Sequence, residues 1–540
     1  MIDSAGVVRM VLVLAGAVVL YRHLVSPIVR WAARELGAGD YPATALNGTY
    51  PEAPVPRSAW RPCAVIGLLT LVAALLGPWR VSGLLWIPAV ALAVVVWKYT
   101  TADYDAASDI GWQRTDRVVV TVLGVAGVLV PFLAVAAVVA ICGRLGGWTH
   151  HSKSAIRVVK AAFAHSLALG PATLFTGADP ARDQAGLLVL LATVHLSHYV
   201  FACHSKIVLG RRPWSWANEN RINVLAASAY SWGWAGFLPE DTVRRVVRAL
   251  APLSRWLNWG TLVVEGLGAV AFLHRDLLVV AAAGAAFFNV VVAFSAGILF
   301  LENILLGSVI AVSALSLPPP VEQAAFGALP WTVSLALLGV VLLGRAWKPT
   351  ALGWWDTPLT ERVYWRVVTA GGRTCSLDNG FLSPFDREYA RSAGNPLTAD
   401  RYVTFPLGGV EDEELRDRLF ALDREDPHAD LAAIAARFGL PATDPRIRER
   451  HAEYVARLFG RLALGTPKSP LPEALRWLKM PGGHLYYWLE SPRYRLSDGP
   501  VVRVQVRHRK DHFDQKTATW TRLCDEAVME IPVSTAWRRS

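Results

Sequence analysis

The chain lacks the short patterns that most often betray a chemistry. Its five cysteines (Cys63, Cys142, Cys203, Cys375 and Cys524) are scattered with no CxxC spacing. That argues against a thiolate metal site or a dithiol redox centre, and three of them lie in or beside apolar runs, where cysteine behaves as a small hydrophobe. No nucleophile elbow, P-loop or GxGxxG element is present, and there is no internal repeat or low-complexity segment. The net charge is +11, yet the basic residues are not grouped as nucleic-acid binding requires. They punctuate the apolar runs instead, at Arg211, Arg212, Arg244, Arg245, Arg248 and Arg255. Juxtamembrane arginine facing anionic lipid takes this placement, so membrane lipids rather than nucleic acid are the expected partners.

What the chain has in quantity is apolar sequence. Of its 540 residues 53% are hydrophobic, and the mean hydropathy of +0.33 is well above that of an ordinary soluble domain. The apolar residues fall into runs at Met10–Leu20, Cys63–Leu76, Val81–Trp97, Val118–Cys142, Leu187–Ala202, Thr261–Phe272, Leu277–Leu315 and Trp331–Leu343. Several could span about 30 Å of hydrocarbon, and the shorter ones need their flanks or a re-entrant path, giving roughly eight to ten crossings. The first run has only Arg9 ahead of it and no small-residue cleavage site after it, the pattern of a retained anchor rather than a signal peptide.

Near residue 347 the composition changes. Residues 1–347 read as a multi-pass transmembrane domain and 350–540 as a polar, soluble one, joined by WKPTALGWWDTP, whose tryptophans suit a helix end among headgroups. In the polar part, helical spacing at Glu411–Phe438 and Ile447–Leu464 precedes a strand in which Val502, Val504 and Val506 alternate with Arg503, Gln505 and Arg507. The turn Ser497–Pro500 starts that strand, and Arg503, Arg507, Arg509 and Lys510 suggest an edge protected by charge. A turn-rich, aromatic segment runs from Ser376 to Tyr389. The expected fold class is an all-α polytopic transmembrane bundle with a C-terminal soluble α+β domain. The Leu317–Ala328 loop carries three prolines, one acid and no Lys or Arg, whereas the next helix ends at Arg345 and Lys348. By the positive-inside rule the C-terminal domain is cytoplasmic, on a plasma membrane if the chain is bacterial.

One apolar helix is unusual for what it carries. Between Gln184 and Arg212, His195, His198 and Lys206 fall within one arc at 100° per residue, and His204 points the other way. Ionisable residues are costly in lipid and normally face a polar cavity or one another. Asn258, Thr261 and Glu265 share a second helical face, and pairing Glu265 with Lys206 or a histidine would satisfy both partners; Ser295 and Glu302 share a third. Two histidines are too few for a metal site and serve equally well as acid–base partners or as links between helices. Lys206 stands near the end of its run, where its ammonium could instead snorkel to the headgroups.

The stretch from His198 to Lys206, followed by a basic turn and Trp214, resembles the HTTM superfamily, which includes the vitamin K-dependent gamma-carboxylase and many bacterial relatives. Thr261–Glu265 and Phe288–Asn303 are similar to further stretches of that family, in the same order, over residues 110–345. Asn289 stands where relatives often carry histidine. The resemblance implies a membrane enzyme acting on a lipophilic substrate. Lys206 would be the base toward a reduced quinone, with His195, His198 and Glu265 in the cavity and Trp214, Asn258, Asn289 and Glu302 on the substrate. A lysine kept neutral by desolvation is what such a base requires.

Two other readings stand beside it. The chain could be a non-catalytic membrane protein, in transport, immunity or assembly, in which these residues bind helices together. Alternatively Asp103, Asp105 and Asp109 in the loop Thr101–Asp116 could hold Mg²⁺ against an isoprenoid diphosphate, as hard cations favour carboxylate oxygen. Helix-capping aspartates would give the same pattern.

Overall fold

Apolar sequence becomes helix across most of the first 342 residues. The computed structural model describes residues 4–37, 57–76, 84–145, 153–235, 237–327, 330–349, 352–377, 381–382, 397, 408–422, 426–439, 445–481 and 492–533. Helix α1 (Ser4–Leu20) passes through one π turn into α2 (Ser26–Glu35). There follow α3 (Trp60–Leu76), α4 (Trp86–Thr101), α5 (Ile110–Leu129), α6 (Ala134–Ala140), α7 (Lys153–Thr176) and α8 (Pro180–Ile207). Three short helices, α9 (Ser215–Glu219), α10 (Ile222–Ser231) and α11 (Glu240–Leu250), lead to α12 (Ser254–Gly266). The helical region closes with α13 (Arg275–Ala296), α14 (Leu301–Leu315), α15 (Pro319–Phe326) and α16 (Pro330–Leu342).

Among the described residues four helices are long and apolar enough to cross a membrane: Gly6–Glu35, Lys153–Thr176, Pro180–Ile207 and Arg275–Ala296. The pair α14 and α15, bent by 112°, raises that to five, and four more apolar helices of 10–17 residues are shorter. Of the eight to ten crossings expected from the runs, four or five are thus helices of spanning length and the others are shorter, because several runs are broken inside. Val118–Cys142 breaks at a 3₁₀ turn, Pro131–Leu133, where proline cannot continue the helix. Thr261–Phe272 decays into two 3₁₀ turns after Gly266. Leu277–Leu315 folds back at Gly297, whose φ of 66° ends α13. The Leu317–Ala328 segment, expected as a loop, contains α15, which packs Val321, Ala324 and Ala325 against Ala185 of α8.

Where α13 and α14 lie side by side, Gly307 has no room for a side chain. A Cβ there would stand 2.7 Å from the Ala282 carbonyl oxygen, so the two backbones touch only because glycine is present. At the head of α8, the Asp179 carboxylate accepts the Arg182 N–H at 3.1 Å and Pro180 takes the first helical position.

Past residue 354 strands appear: β1 (Trp355–Asp356), β2 (Leu359–Thr369), β3 (Thr374–Ser376), β4 (Gly409–Val410), β5 (Val501–Asp514) and β6 (Thr519–Pro532). They make an antiparallel sheet in the order β3-β2-β5-β6 and a small β1–β4 pair. Helices α17 (Glu413–Phe420), α18 (Pro427–Phe438) and α19 (Pro445–Ala463) complete the region, so the two expected helical stretches form, the first in two pieces. The basic strand is not an edge. It is β5, hydrogen-bonded on both sides, and its charges are paired in place, Arg507 with Asp525 at 2.8 Å and Arg509 with Asp511 at 2.7 Å. Most of the turn-rich segment after Ser376, residues 378–380 and 383–396, lies outside the described residues.

The two halves share their cores. Cys203, Trp216 and Leu262 from the helices cluster with Trp355, Leu359, Val410 and Leu419. The junction tryptophans expected among headgroups are inside: Trp355 is fully buried, and Trp347 donates its indole N–H to Ser197 Oγ at 3.2 Å. On the opposite side the 101–109 loop docks on the C-terminal region, where the Tyr454 hydroxyl donates to Asp105 at 3.1 Å.

Gly307→Val should therefore force α13 and α14 apart and destabilise the protein by about 1–3 kcal/mol, the usual cost of overpacking. Thermal unfolding in detergent reads this, with Gly339→Val, at a glycine that has open space around it, as the unaffected control.

Candidate functional site

The lower end of α8 meets α12 at a buried ion pair. Lys206 Nζ lies 2.5 Å from Glu265 Oε1, the lysine side chain 11% and the glutamate 3% exposed. Helix geometry brings them there: Asn258 and Glu265 share the inner face of α12, and both are buried. The ammonium also rests over the Trp216 ring, 5.4 Å from its centre. Glu265 Oε2 is buried with no hydrogen-bond partner among the described residues. The pair thus presents an open acceptor beside an indole.

A second carboxylate belongs to this neighbourhood, and sequence reasoning did not single it out. Asp356 in β1 is buried and bonded to Asn220 twice: Asn220 Nδ2 donates to its carboxylate at 2.8 Å, and its own N–H donates to Asn220 Oδ1 at 2.9 Å. Burial pushes the Asp356 carboxyl up to about 6, against the opposing pull of Asn220 and of the Lys206 charge. Asn258 holds the same turn by donating to the Asn220 carbonyl at 2.7 Å, and Trp216 donates to the Trp354 carbonyl at 2.8 Å. Only the fold could reveal Asp356, since 150 residues separate it from Lys206; the signal for Trp216 was the Trp-rich sequence after α8.

The remaining candidates divide into those near this centre and those elsewhere. His195 and Tyr199 continue the Lys206 face of α8, and their rings meet edge to face at 5.3 Å. Neither His195 nitrogen has a hydrogen-bond partner among the described residues, while Asn289 Nδ2 donates to the Tyr199 hydroxyl at 2.5 Å. His198 turns toward α7, with Nε2 2.8 Å from Arg157 Nη1. Trp214 is half exposed and stacks on Trp259 at 5.4 Å, so Trp216 and not Trp214 lies against the lysine. Glu302 is committed to a separate buried pair, 3.0 Å from Lys98. His204 is exposed on the far side.

The acidic loop is occupied by its own structure. Asp109 caps α5 by accepting the Gly111 N–H at 2.6 Å, and Asp103 pairs with Lys479 at 2.7 Å. Asp105 is buried, accepts from Ala107, Ser108 and Tyr454, and has its carboxyl pushed up by that burial. No group of three or more His, Cys, Asp or Glu placed to hold a metal ion occurs among the described residues.

Beside Asn220 a cavity of about 670 Å³ opens between α9–α12 and the β5–β6 turn. It is lined by basic and amide side chains, including Arg221, Arg248, Arg255, Arg416 and Lys516. Asn220, one of its wall residues, connects it to Asp356 and so to the Lys206 end of α8.

No family model, curated protein or solved structure matches this chain. Its chemistry is therefore argued from the geometry above.

Two outcomes follow for stability. Removing one partner of a buried pair strands a charge, so Lys206→Met or Glu265→Leu alone should cost about 3–5 kcal/mol, whereas the double substitution should recover most of that loss; thermal unfolding of all four proteins measures the coupling. For Asp356 the folded state favours the neutral acid. Its contribution is present in full below pH 4 and is lost as pH rises from about 4 to about 6, a difference on the order of 3 kcal/mol. Asp356→Asn should accordingly gain stability relative to the parent between pH 4.5 and 7, read as the difference in unfolding midpoint.

Proposed function

We propose that this chain is a multi-pass integral membrane protein of the HTTM type, an enzyme that removes a proton from a lipophilic substrate at the Lys206–Glu265 pair. The observation that carries this reading is the pair itself. Lys206 Nζ donates to Glu265 Oε1 at 2.5 Å in buried surroundings, and the second carboxylate oxygen has no hydrogen-bond partner among the described residues. In a site of low dielectric the charged and neutral forms of such a pair lie close in energy, since desolvation disfavours both ions. By the resemblance Lys206 is the base, and Glu265 beside it offers Oε2 as a second acceptor. Trp216 shields the ammonium on one side, and Tyr199 with Asn289 supplies a hydroxyl further along the same face.

A reduced quinone is the group the resemblance implies. Glu265 Oε2 has no hydrogen-bond partner among the described residues, and a substrate hydroxyl reaching it would complete the missing bond. When bound, such a group supplies an acidic hydroxyl; Lys206 and Glu265 would orient it and take its proton. In this reading the C-terminal sheet lies on the cytoplasmic face, with membrane lipids as the surrounding partner.

The alternative, a non-catalytic transport, immunity or assembly protein, is favoured by one fact. Three further buried ion pairs, Arg9–Asp183, Lys98–Glu302 and Arg144–Asp116, join elements with no such open acceptor described at them. Lys206–Glu265 would then be a fourth helix tie.

Native mass spectrometry with lipid extraction of the purified protein separates the two. A quinone-like ligand that co-purifies with the parent and is lost from Lys206→Gln and Glu265→Gln, all compared at a temperature well below the variants' own unfolding midpoints, supports the enzyme. A ligand-free parent, or a ligand retained by both variants, overturns it.

A further inference from the structure

The cavity beside Asn220 holds an excess of positive charge that the protein does not neutralise. Five cations line it against one carboxylate, Glu219. That carboxylate is taken by Arg416 at 3.0 Å, and Arg416 also reaches Asp417 at 2.7 Å. The other four have no acidic partner within ion-pair distance among the described residues. Among the described residues Arg221 donates to the Gln515 amide oxygen and lies over the Phe420 ring, 4.5 Å from its centre, with the Asp417 charge acting on it from a longer distance. Arg248 donates to the Thr517 carbonyl at 2.8 Å. Among the described residues no side-chain acceptor contact is made by Arg255 or Lys516. Four exposed cations around one concavity give it a positive potential that draws an anion in.

A second observation points the same way. Gln515 Nε2, in the cavity wall, is a buried donor atom with no acceptor among the described residues, while its oxygen is held by Arg221. Native proteins rarely leave such a donor unmatched, so an acceptor is missing from this place. Three guanidinium forks, an ammonium and an amide N–H together match the several oxygens of a phosphate or diphosphate better than the two of a carboxylate.

The position of the cavity bears on what carries the phosphate. Arg255 stands on α12 between Leu253, Trp256 and Leu257, which are exposed by 49%, 75% and 39%. Arg248 stands on α11 near Val246, itself 49% exposed. The segments that bring Arg248 and Arg255 to the cavity thus also expose apolar side chains, on which a hydrocarbon chain attached to a bound phosphate could lie.

We propose that this cavity is a binding site for a phosphate or diphosphate group, held by Arg221, Arg248, Arg255 and Lys516 with Gln515 Nε2 as the fifth donor. The site is independent of proton transfer at Lys206, and it stands if that reading fails.

The test uses the full chain in a non-ionic detergent, with binding measured by thermophoresis. The probes are pyrophosphate, dioctanoyl phosphatidic acid and dioctanoylglycerol, the last as a neutral control. The variant is Arg248→Gln/Arg255→Gln/Lys516→Gln, all three at exposed positions, with Lys206→Gln as an unrelated comparison. Both phosphate probes should bind the parent and weaken by at least about tenfold in the triple variant, the loss of one or more charge-assisted hydrogen bonds; the neutral lipid should not bind, and Lys206→Gln should bind both as the parent does. Tighter binding of phosphatidic acid assigns the phosphate to a lipid, and tighter binding of pyrophosphate assigns it to a free ligand. If neither phosphate probe binds the parent, or if the folded triple variant binds both unchanged, the proposal is wrong.

Discussion

A charge inside an apolar helix bundle must find an opposite charge or unfold the bundle, and that constraint organises this protein. Arg9 reaches across 174 residues to Asp183, Lys98 across 204 to Glu302, and Lys206 across 59 to Glu265. Arg144 and Asp116 make the fourth pair at 2.7 Å. All eight side chains are buried or nearly so, and each pair joins two separate elements. A buried pair adds little net stability compared with a well-packed apolar contact. What it does supply is selectivity between packings, because any arrangement that separates the partners strands two ions where water cannot reach them. The order in which α1, α4, α8, α12 and α14 touch follows from that penalty as much as from apolar packing.

Lys206–Glu265 differs from the other three in its surroundings. The Arg9 guanidinium is saturated, with Asp183 on one side and the hydroxyls of Thr173 and Thr176 on the other. At Glu265, by contrast, one oxygen has no donor, and the ammonium faces an indole rather than a second acceptor. Asp356 lies within electrostatic reach, held by Asn220 and raised toward neutrality by burial. Among the described residues this pair is under-satisfied, where Arg9–Asp183 is not. The site is also at a seam: α8 and α12 come from the helical half, while Trp355 and Asp356 come from the first strand of the other. Neither half could build it alone, and the shared core around Cys203, Trp216, Leu262 and Trp355 holds the two sides of this neighbourhood together.

Much of this was legible in residue order, and the parts that were not share a cause. Apolar runs announced helices, and the 100° spacing placed Lys206, His195 and His198 on one helix and Asn258 with Glu265 on another. The same arithmetic could not tell which neighbour each residue would meet. His198 turned to Arg157, Glu302 to Lys98, and Trp216 took the place expected for Trp214, because such choices depend on the rotation and offset of helices and not on their periodicity. Run length overstated the number of full-length helices, since a proline or a glycine inside a run changes chain direction without changing hydropathy. The basic strand looked like a protected edge because its partners, β2 and β6, lie 132 or more residues upstream and just downstream, and charge alone does not distinguish an edge from a centre whose charges are paired.

By itself the sequence determined that this is a predominantly helical, apolar protein carrying costly ionisable residues within its helices, with a more polar region containing strands behind it. Hydropathy and periodicity are local properties, and local properties are what residue order contains. Tertiary structure alone decided that Lys206 meets Glu265, that Asp356 stands nearby through Asn220, and that four cations from α10–α12 and the β5–β6 turn surround one cavity. Those are distances between segments tens to hundreds of residues apart, set by the packing that leaves the fewest buried charges without a partner.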